Sequence, residues 1–183
     1  MGGNVGAFAV WAATCASRGR VISLEPVQEN FALLVQNLRL NALDLVVPIR
    51  AAVTAERRSA TVYLSREGTG SHSILAEFAG QPSGQQRVDG VTLPDVFEQH
   101  QLDTCDFLKL DCEGAEYEIL HSLPLAWYRR IRRLAVEYHT KPGAPKRGQP
   151  DALVERLQDA GYRIETYTDV VGTPRGMIYA LRV

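Results

Sequence analysis

The chain has 183 residues, 45% of them hydrophobic and 22% charged; that length suits one domain at about 150 residues each, and the composition excludes disorder, collagen and a coiled coil as the main architecture. Twenty basic residues against 21 acidic ones leave a formal charge of −1, so no global basic field draws the protein to nucleic acid or to an anionic membrane. No apolar run approaches the ~20 residues that cross a bilayer, no basic leader with an apolar block opens the chain, and Cys15, Cys105 and Cys112 fit no zinc spacing, so free thiols in a cytoplasmic protein are expected.

In chain order, residues 6–17 (GAFAVWAATCAS) are apolar and alanine-rich and predict a helix, with Gly19 as its C-terminal cap. The run VISL at 21–24 predicts a strand stopped by Glu25 and Pro26. Val27, Phe31, Leu34, Val35 and Leu38 recur at helical spacing, so Pro26 opens an amphipathic helix. Residues 46–53 are β-like, and TVYL at 61–64 predicts a further strand. Residues 67–90, rich in Gly, Ser and Gln, read as a long loop, and such loops are often functional.

Beyond it, a helix is expected over 94–101 and a strand over 106–110 that ends at Asp111. A helix over 114–123 turns Ala115, Ile119, Leu120 and Leu123 inward, and a strand over 134–136 ends at Glu137. A Pro, Gly and Lys loop fills 142–150; Asp151 then caps a helix that runs to Ala160 and stops at Gly161. Strands at 163–168 and 177–183 close the chain around a turn with Gly172, Pro174 and Gly176. Strands alternating with helices argue for an α/β fold with a mostly parallel sheet covered on both faces. The last two strands have no helix between them and predict an antiparallel hairpin.

Three acids, Glu25, Asp111 and Glu137, directly follow apolar strands, where open parallel sheets bind their ligands. Gly2-Gly3-Asn4-Val5-Gly6 stands ahead of the first helix, giving a close backbone approach and N–H groups for an anion. Glu25 follows about 20 residues later, a spacing suited to ribose hydroxyls. The glycine spacing departs from G-x-G-x-x-G, which together with the closing hairpin argues against a nicotinamide oxidoreductase. Lys109 lies inside an apolar strand on the face of Phe107 and Asp111. It needs an acidic partner, with Glu113, Glu116 and Glu137 as candidates, and serves either an ion pair that orders the Asp111 turn or the chemistry itself. His139 follows Glu137 by two residues, so both point one way, and a histidine at a pocket rim can take a proton. His72, between Ser71 and Ser73, is a candidate for substrate contact, while His100 and His121 receive no role. Glu113, Glu116 and His121 are metal-ligand types, but no metal is expected. The run RRIRR at 129–133 reads as a solvated connection rather than a nucleic-acid patch.

Several of these segments together resemble the FkbM family of S-adenosylmethionine-dependent methyltransferases: GGNVGAF at 2–8, Leu24-Glu25-Pro26 with Asn30, QNLRLNAL at 36–43, VTL at 91–93, FLKLDCEGAE at 107–116 and VEYH at 136–139. The resemblance implies the Rossmann-like class I methyltransferase fold, a three-layer sandwich whose sheet ends in a reversed hairpin. It implies methyl transfer from S-adenosylmethionine to a hydroxyl of a small molecule, commonly a sugar or a polyketide. Gly2, Gly3, Asn4 and Gly6 would border the amino-acid half of the cofactor, Glu25 beside Pro26 would bind its ribose, and Ala51 and Ala52 would lie near the adenine. Asp111, also at the cofactor, and Glu113 would stand at the reaction centre near Lys109, with Glu137 and His139 across from them and Asp111 or His139 as the base. The family's loop reads D-x-G-A-N-x-G after a strand, whereas this chain starts inside that motif, and Pro94 stands where the family often has Asp. The expectation is therefore a single domain over 1–183, shortened at its N-terminus and lacking its first strand. An open strand edge favours dimers. The alternative reading is an inactive remnant or an interaction module.

Overall fold

A computed structural model describes residues 1–16, 19–66, 68, 70–141, 143, 145–169 and 174–183. By its contacts the chain divides into two compact units, 1–52 with 58–90, and 53–57 with 91–183.

The first unit begins with α1 (Ala7–Cys15), β1 (Val21–Leu24), α2 (Gln28–Leu40) and β2 (Val46–Ile49). β1 and β2 pair in parallel, from Val21 opposite Val46 to Leu24 opposite Ile49. Ala9 and Ala13 of α1, Leu34 and Leu38 of α2, and Val46 form the core between the helices and this pair. Small alanines let α1 lie close to α2, and Gly6 carries that closeness to its limit. Its φ is +91°, and a Cβ there would meet Leu34 Cδ1 at 2.6 Å. α1 is capped at its end by Ala16, whose N–H reaches Ala12 O at 3.0 Å, and not by Gly19; the last residue of the expected helix, Ser17, lies outside the described residues. α2 starts after Val27, two residues past Pro26.

The two-residue β3 (Ala52–Val53) carries the chain from one unit to the other. In the first unit, β4 (Arg58–Ser65) pairs antiparallel with β5 (Pro82–Val91). This overturns part of the long loop expected over 67–90. Six of the ten residues of β5 are exposed and only Gly90 is buried, so its side chains carry no clear apolar period; backbone pairing with β4 makes it a strand. Within the same expected loop, Glu67 and Thr69 lie outside the described residues.

The second unit holds α3 (Leu93–Gln99), β6 (Leu108–Leu110), α4 (Glu116–Ser122), α5 (Leu125–Tyr128), β7 (Arg133–His139), α6 (Pro150–Asp159), β8 (Tyr162–Asp169) and β9 (Arg175–Arg182). The sheet order is β6-β7-β9-β8, with β6 parallel to β7 and β9 antiparallel to both its neighbours. The expected closing hairpin is present; its turn residue Gly172 lies outside the described residues, as do Pro142 and Ala144 of the preceding loop. Leu110, Leu120, Leu134, Val136, Leu153, Leu157 and Ile178 are buried at its centre. Two buried tyrosines tie the loops in: Tyr128 donates to Leu120 O at 2.6 Å, and Tyr162 donates to Ile131 O at 2.6 Å. α6 is capped by Gln149 with Pro150 at its first position, so Asp151 sits in the first turn instead of capping it. β7 runs on through His139, because Glu137 and His139 pair with Met177 and Arg175 of β9. Glu137 is thus inside the strand and not beyond its end. Cys15, Cys105 and Cys112 are free thiols, with Cys15 exposed. Among the described residues, no helix is long and apolar enough to cross a membrane.

α3 opens on a reciprocal cap. Thr92 Oγ1 accepts from the Asp95 N–H at 3.1 Å, and Asp95 Oδ2 accepts from the Thr92 N–H at 2.9 Å. Arg57 also reaches Asp95 at 2.7 Å. The Arg57 guanidinium and the Thr92 amide hold the Asp95 carboxyl at about 2, against its ordinary 3.8. A carboxyl depressed in the folded state stabilises above its unfolded value, and that contribution is lost as pH falls through the folded one. Wild type is expected to lose a stability increment between about pH 4 and pH 2 that Asp95→Asn lacks, and Thr92→Ala is expected to cost about 1 kcal/mol. Parallel acid-unfolding curves for wild type and Asp95→Asn would contradict this.

Candidate active site

Each unit brings together one group of the expected residues. In the first, β1 delivers Glu25 to a position where its residue is only 5% exposed. Its two oxygens are separately bound: Oε2 accepts from the Asn4 N–H at 2.7 Å, and Oε1 from the Val27 N–H at 2.9 Å. Asn30, buried in the first turn of α2, adds a side-chain hydrogen bond. Burial pushes the Glu25 carboxyl up, and these donors offset only part of that rise. The glycine loop is laced to the same strand end. Gly3 N–H donates to Leu24 O at 2.8 Å, and a Cβ on Gly3 would stand 2.6 Å from Ser23 Oγ. Gly2 and Asn4 adopt left-handed φ values of 70° and 45°. Asn4 Oδ1 is shut off from water and has no hydrogen-bond partner. Pro26 follows half-buried, and Ala51 and Ala52, 3% and 4% exposed, add two small buried side chains to this unit. His72 serves its own loop, where its Nδ1 accepts from the Ser65 N–H at 3.0 Å and burial lowers its pKa.

The second unit gathers Lys109, Asp111, Glu113, Glu137 and His139. Asp111 follows β6, and its Oδ2 pairs with Lys109 Nζ at 2.6 Å. Asp111, the lysine's neighbour on the same strand face and outside the three expected candidates, is thus one of its partners. The chain then turns through Glu113 and Gly114, both left-handed with φ of 49° and 100°. A non-glycine residue in that region is strained, and such strain collects at functional sites. The turn is held by Glu116, which is fully buried and accepts from the Cys112 N–H at 2.6 Å and the Gly114 N–H at 3.0 Å. His139, at the end of β7, stands over this turn. Its Nδ1 lies 3.4 Å from Glu116 Oε1, and its Nε2 lies 3.4 Å from Glu113 Oε2 and 3.9 Å from Glu137 Oε1. Arg175 approaches Glu137 at 3.8 Å.

The electrostatics follow from this crowding. Burial, then the carboxylates of Asp111, Glu116 and Glu137, push Glu113 up to about 7 against the pull of His139. Burial alone would lower His139, but Glu116, Glu113 and Asp111 outweigh it and raise the imidazole. Burial also carries the Cys112 thiol to about 12, so it is no nucleophile. A carboxyl raised to about 7 beside a raised imidazole, within a partly buried cluster, suits general acid–base work. Two contributors escaped the sequence reading as site residues, Asn30 and Glu116. Asn30 belongs to the same motif as Glu25, five residues on, and Glu116 lies where an acid can reach back to the free N–H groups of a helix start.

Residues 1–164 match the family model described as the methyltransferase FkbM domain. The chain is 26% identical over 219 aligned residues to the AMB antimetabolite synthetase AmbE of Pseudomonas aeruginosa, covering all of this chain and 10% of that protein. It is 24% identical over 191 residues to the methyltransferase sdnD of Sordaria araneosa, covering 89% of this chain and 72% of that one. Its fold is similar to that of Aeropyrum pernix fibrillarin, solved with natively bound S-adenosyl-L-methionine, at a TM-score of 0.56 and 14% identity over 99% of this chain and 64% of the other. The chain thus spans about a tenth of the first relative's length.

Proposed function

We propose, from the premise that the chain belongs to the methyltransferase FkbM domain family, that it transfers a methyl group to a hydroxyl of a small molecule of the sugar or polyketide class. The family's methyl donor is S-adenosylmethionine, and the fold is that of the class I methyltransferases. The residues present suit that donor. The buried Asn4 Oδ1 is an acceptor without a donor, as an ammonium or hydroxyl would supply. Glu25 is a buried acid tied to the loop; Asn4, Val27 and Asn30 take three of its carboxylate's acceptor sites, and the fourth remains for a ribose hydroxyl.

When bound, the sulfonium supplies an already activated methyl group. The protein's part is alignment, exclusion of water and handling of one proton. Gly2, Gly3, Asn4 and Gly6 would hold the amino-acid half, Glu25 with Pro26 the ribose, and Ala51 and Ala52 the adenine. A hydroxyl acceptor has to lose its proton on methylation, and Asp111, Glu113 and His139 would be the groups that take it. The observation that carries the reading is the Asn4–Glu25 link, which ties the glycine loop to the acid at the end of β1. The cluster around His139 supports a hydroxyl acceptor, because oxygen must lose a proton on methylation. A relative named an antimetabolite synthetase supports a small molecule.

Incubation with methyl-labelled S-adenosylmethionine and a panel of hydroxylated sugars and polyketides is expected to place label on oxygen, read by mass and by NMR. Label on nitrogen or carbon would overturn the hydroxyl assignment. Donor binding with no transfer to any acceptor would favour the interaction module.

A further inference from the structure

We propose that the second unit binds a divalent cation of the Mg2+ or Mn2+ class between Asp111, Glu137 and His139. One ligand atom from each of the three lies within 4.8 Å of the others. Donors at about 2.1 Å from a shared cation stand about 3 Å apart when adjacent and about 4.2 Å when opposite, so small side-chain shifts close the set. Acids near strand ends are common without an ion. The imidazole is the observation that points to one. His139 is 7% exposed, and its Nε2 makes no hydrogen bond. A buried polar group left without a bond is costly, and Nε2 is turned toward the carboxylates of Glu113 and Glu137 at 3.4 and 3.9 Å.

The surroundings are those of a ligating histidine. Such a residue directs its other nitrogen at a carboxylate, which fixes the tautomer and the ring plane. Here Nδ1 faces Glu116 Oε1 at 3.4 Å, and Glu116 is itself pinned by the Cys112 and Gly114 amides. Lys109 engages Asp111 through Oδ2, which leaves Oδ1 as the donor. Two carboxylates with one imidazole, the remaining positions going to oxygen, suit a hard cation. Sequence pattern pointed to Glu113, Glu116 and His121 as metal-ligand types; the fold groups a different set. A hydroxyl completing the coordination would be held beside Glu113, the member of the proton-accepting cluster that the cation leaves free. That use rests on the proposed methyl transfer, whereas binding of the cation does not.

The test is titration of the purified chain with Mn2+ alone, following loss of the free-ion electron paramagnetic resonance signal. One Mn2+ per chain is expected, displaced by Mg2+. Glu137→Gln and Asp111→Asn are each expected to weaken it at least tenfold, and Glu116→Gln, acting through the imidazole, by about 10- to 100-fold. Circular dichroism establishes that each variant is folded, and either ligand variant suffices if the other fails. Absence of saturable binding in the millimolar range, or equal affinity in wild type and the folded ligand variants, overturns the proposal. Because neither donor nor acceptor is present, Mn2+ binding without methyl transfer would remove the proposed function and leave the cation site standing, and the reverse result would do the opposite.

Discussion

Glu25→Ala is expected to lower affinity for S-adenosylmethionine by about 10- to 100-fold, since a hydrogen bond to a charged group contributes roughly 1.5–3 kcal/mol. The same change weakens the first unit. The Asn4 and Val27 amides lose their acceptor, and each unpaired buried donor costs about 1–3 kcal/mol. Removing a carboxylate whose charge is disfavoured by burial returns part of that, so a net loss of about 2 kcal/mol is expected, or roughly 4–8 °C in melting temperature at this chain length. Glu25→Gln is informative beside it. The amide keeps one oxygen but sets its NH2 against either the Asn4 or the Val27 N–H, so the variant is expected to behave closer to Ala than to wild type. Calorimetric titration reads the affinity and thermal unfolding the stability. Affinity within twofold of wild type in both variants would remove Glu25 from the donor site.

Glu116→Ala is expected to be the most damaging single change in the second unit. The carboxylate is fully buried, closes the turn through two amides and faces His139. Its loss strips the acceptor from the Cys112 and Gly114 N–H groups and the counter-charge from the imidazole, at about 3–5 kcal/mol for breaking a buried pair from one side. That corresponds to a melting temperature lower by roughly 6–20 °C. Methyl transfer is expected to fall with it, because Glu113 and His139 are both placed by this turn. A stability loss under about 1 kcal/mol, the value of an exposed pair, would show that the turn holds without it.

The chain order of strands and helices was legible because burial imposes its period on side chains. VISL and FLKL read as strands, and the missing helix between the last two strands gave the hairpin. β5 did not show, because Gln85, Gln86, Arg87 and Asp89 are polar, three of them exposed, and the backbone pairing with β4 reveals the strand. The end of β7 was misread for the same reason: polarity at Glu137 and His139 suggested a loop, while β9 supplied the hydrogen bonds. At the site, Glu25 and the glycine loop were legible from spacing, and Lys109 from its misfit in an apolar strand. The Lys109 partner needed only the period of two already applied to Asp111. Glu116 was not legible as a site residue, since an acid opening a helix is ordinarily solvated and nothing local says that this one is buried.

Thermal unfolding of the wild-type chain with and without S-adenosylmethionine tests most directly whether the linked glycine loop and Glu25 hold the donor. Donor at about 100 times its dissociation constant adds roughly 2.7 kcal/mol, so the transition is predicted to move up by about 5–10 °C. A cooperative transition that stays in place at saturating donor would contradict the claim that the glycine loop and Glu25 form the donor site.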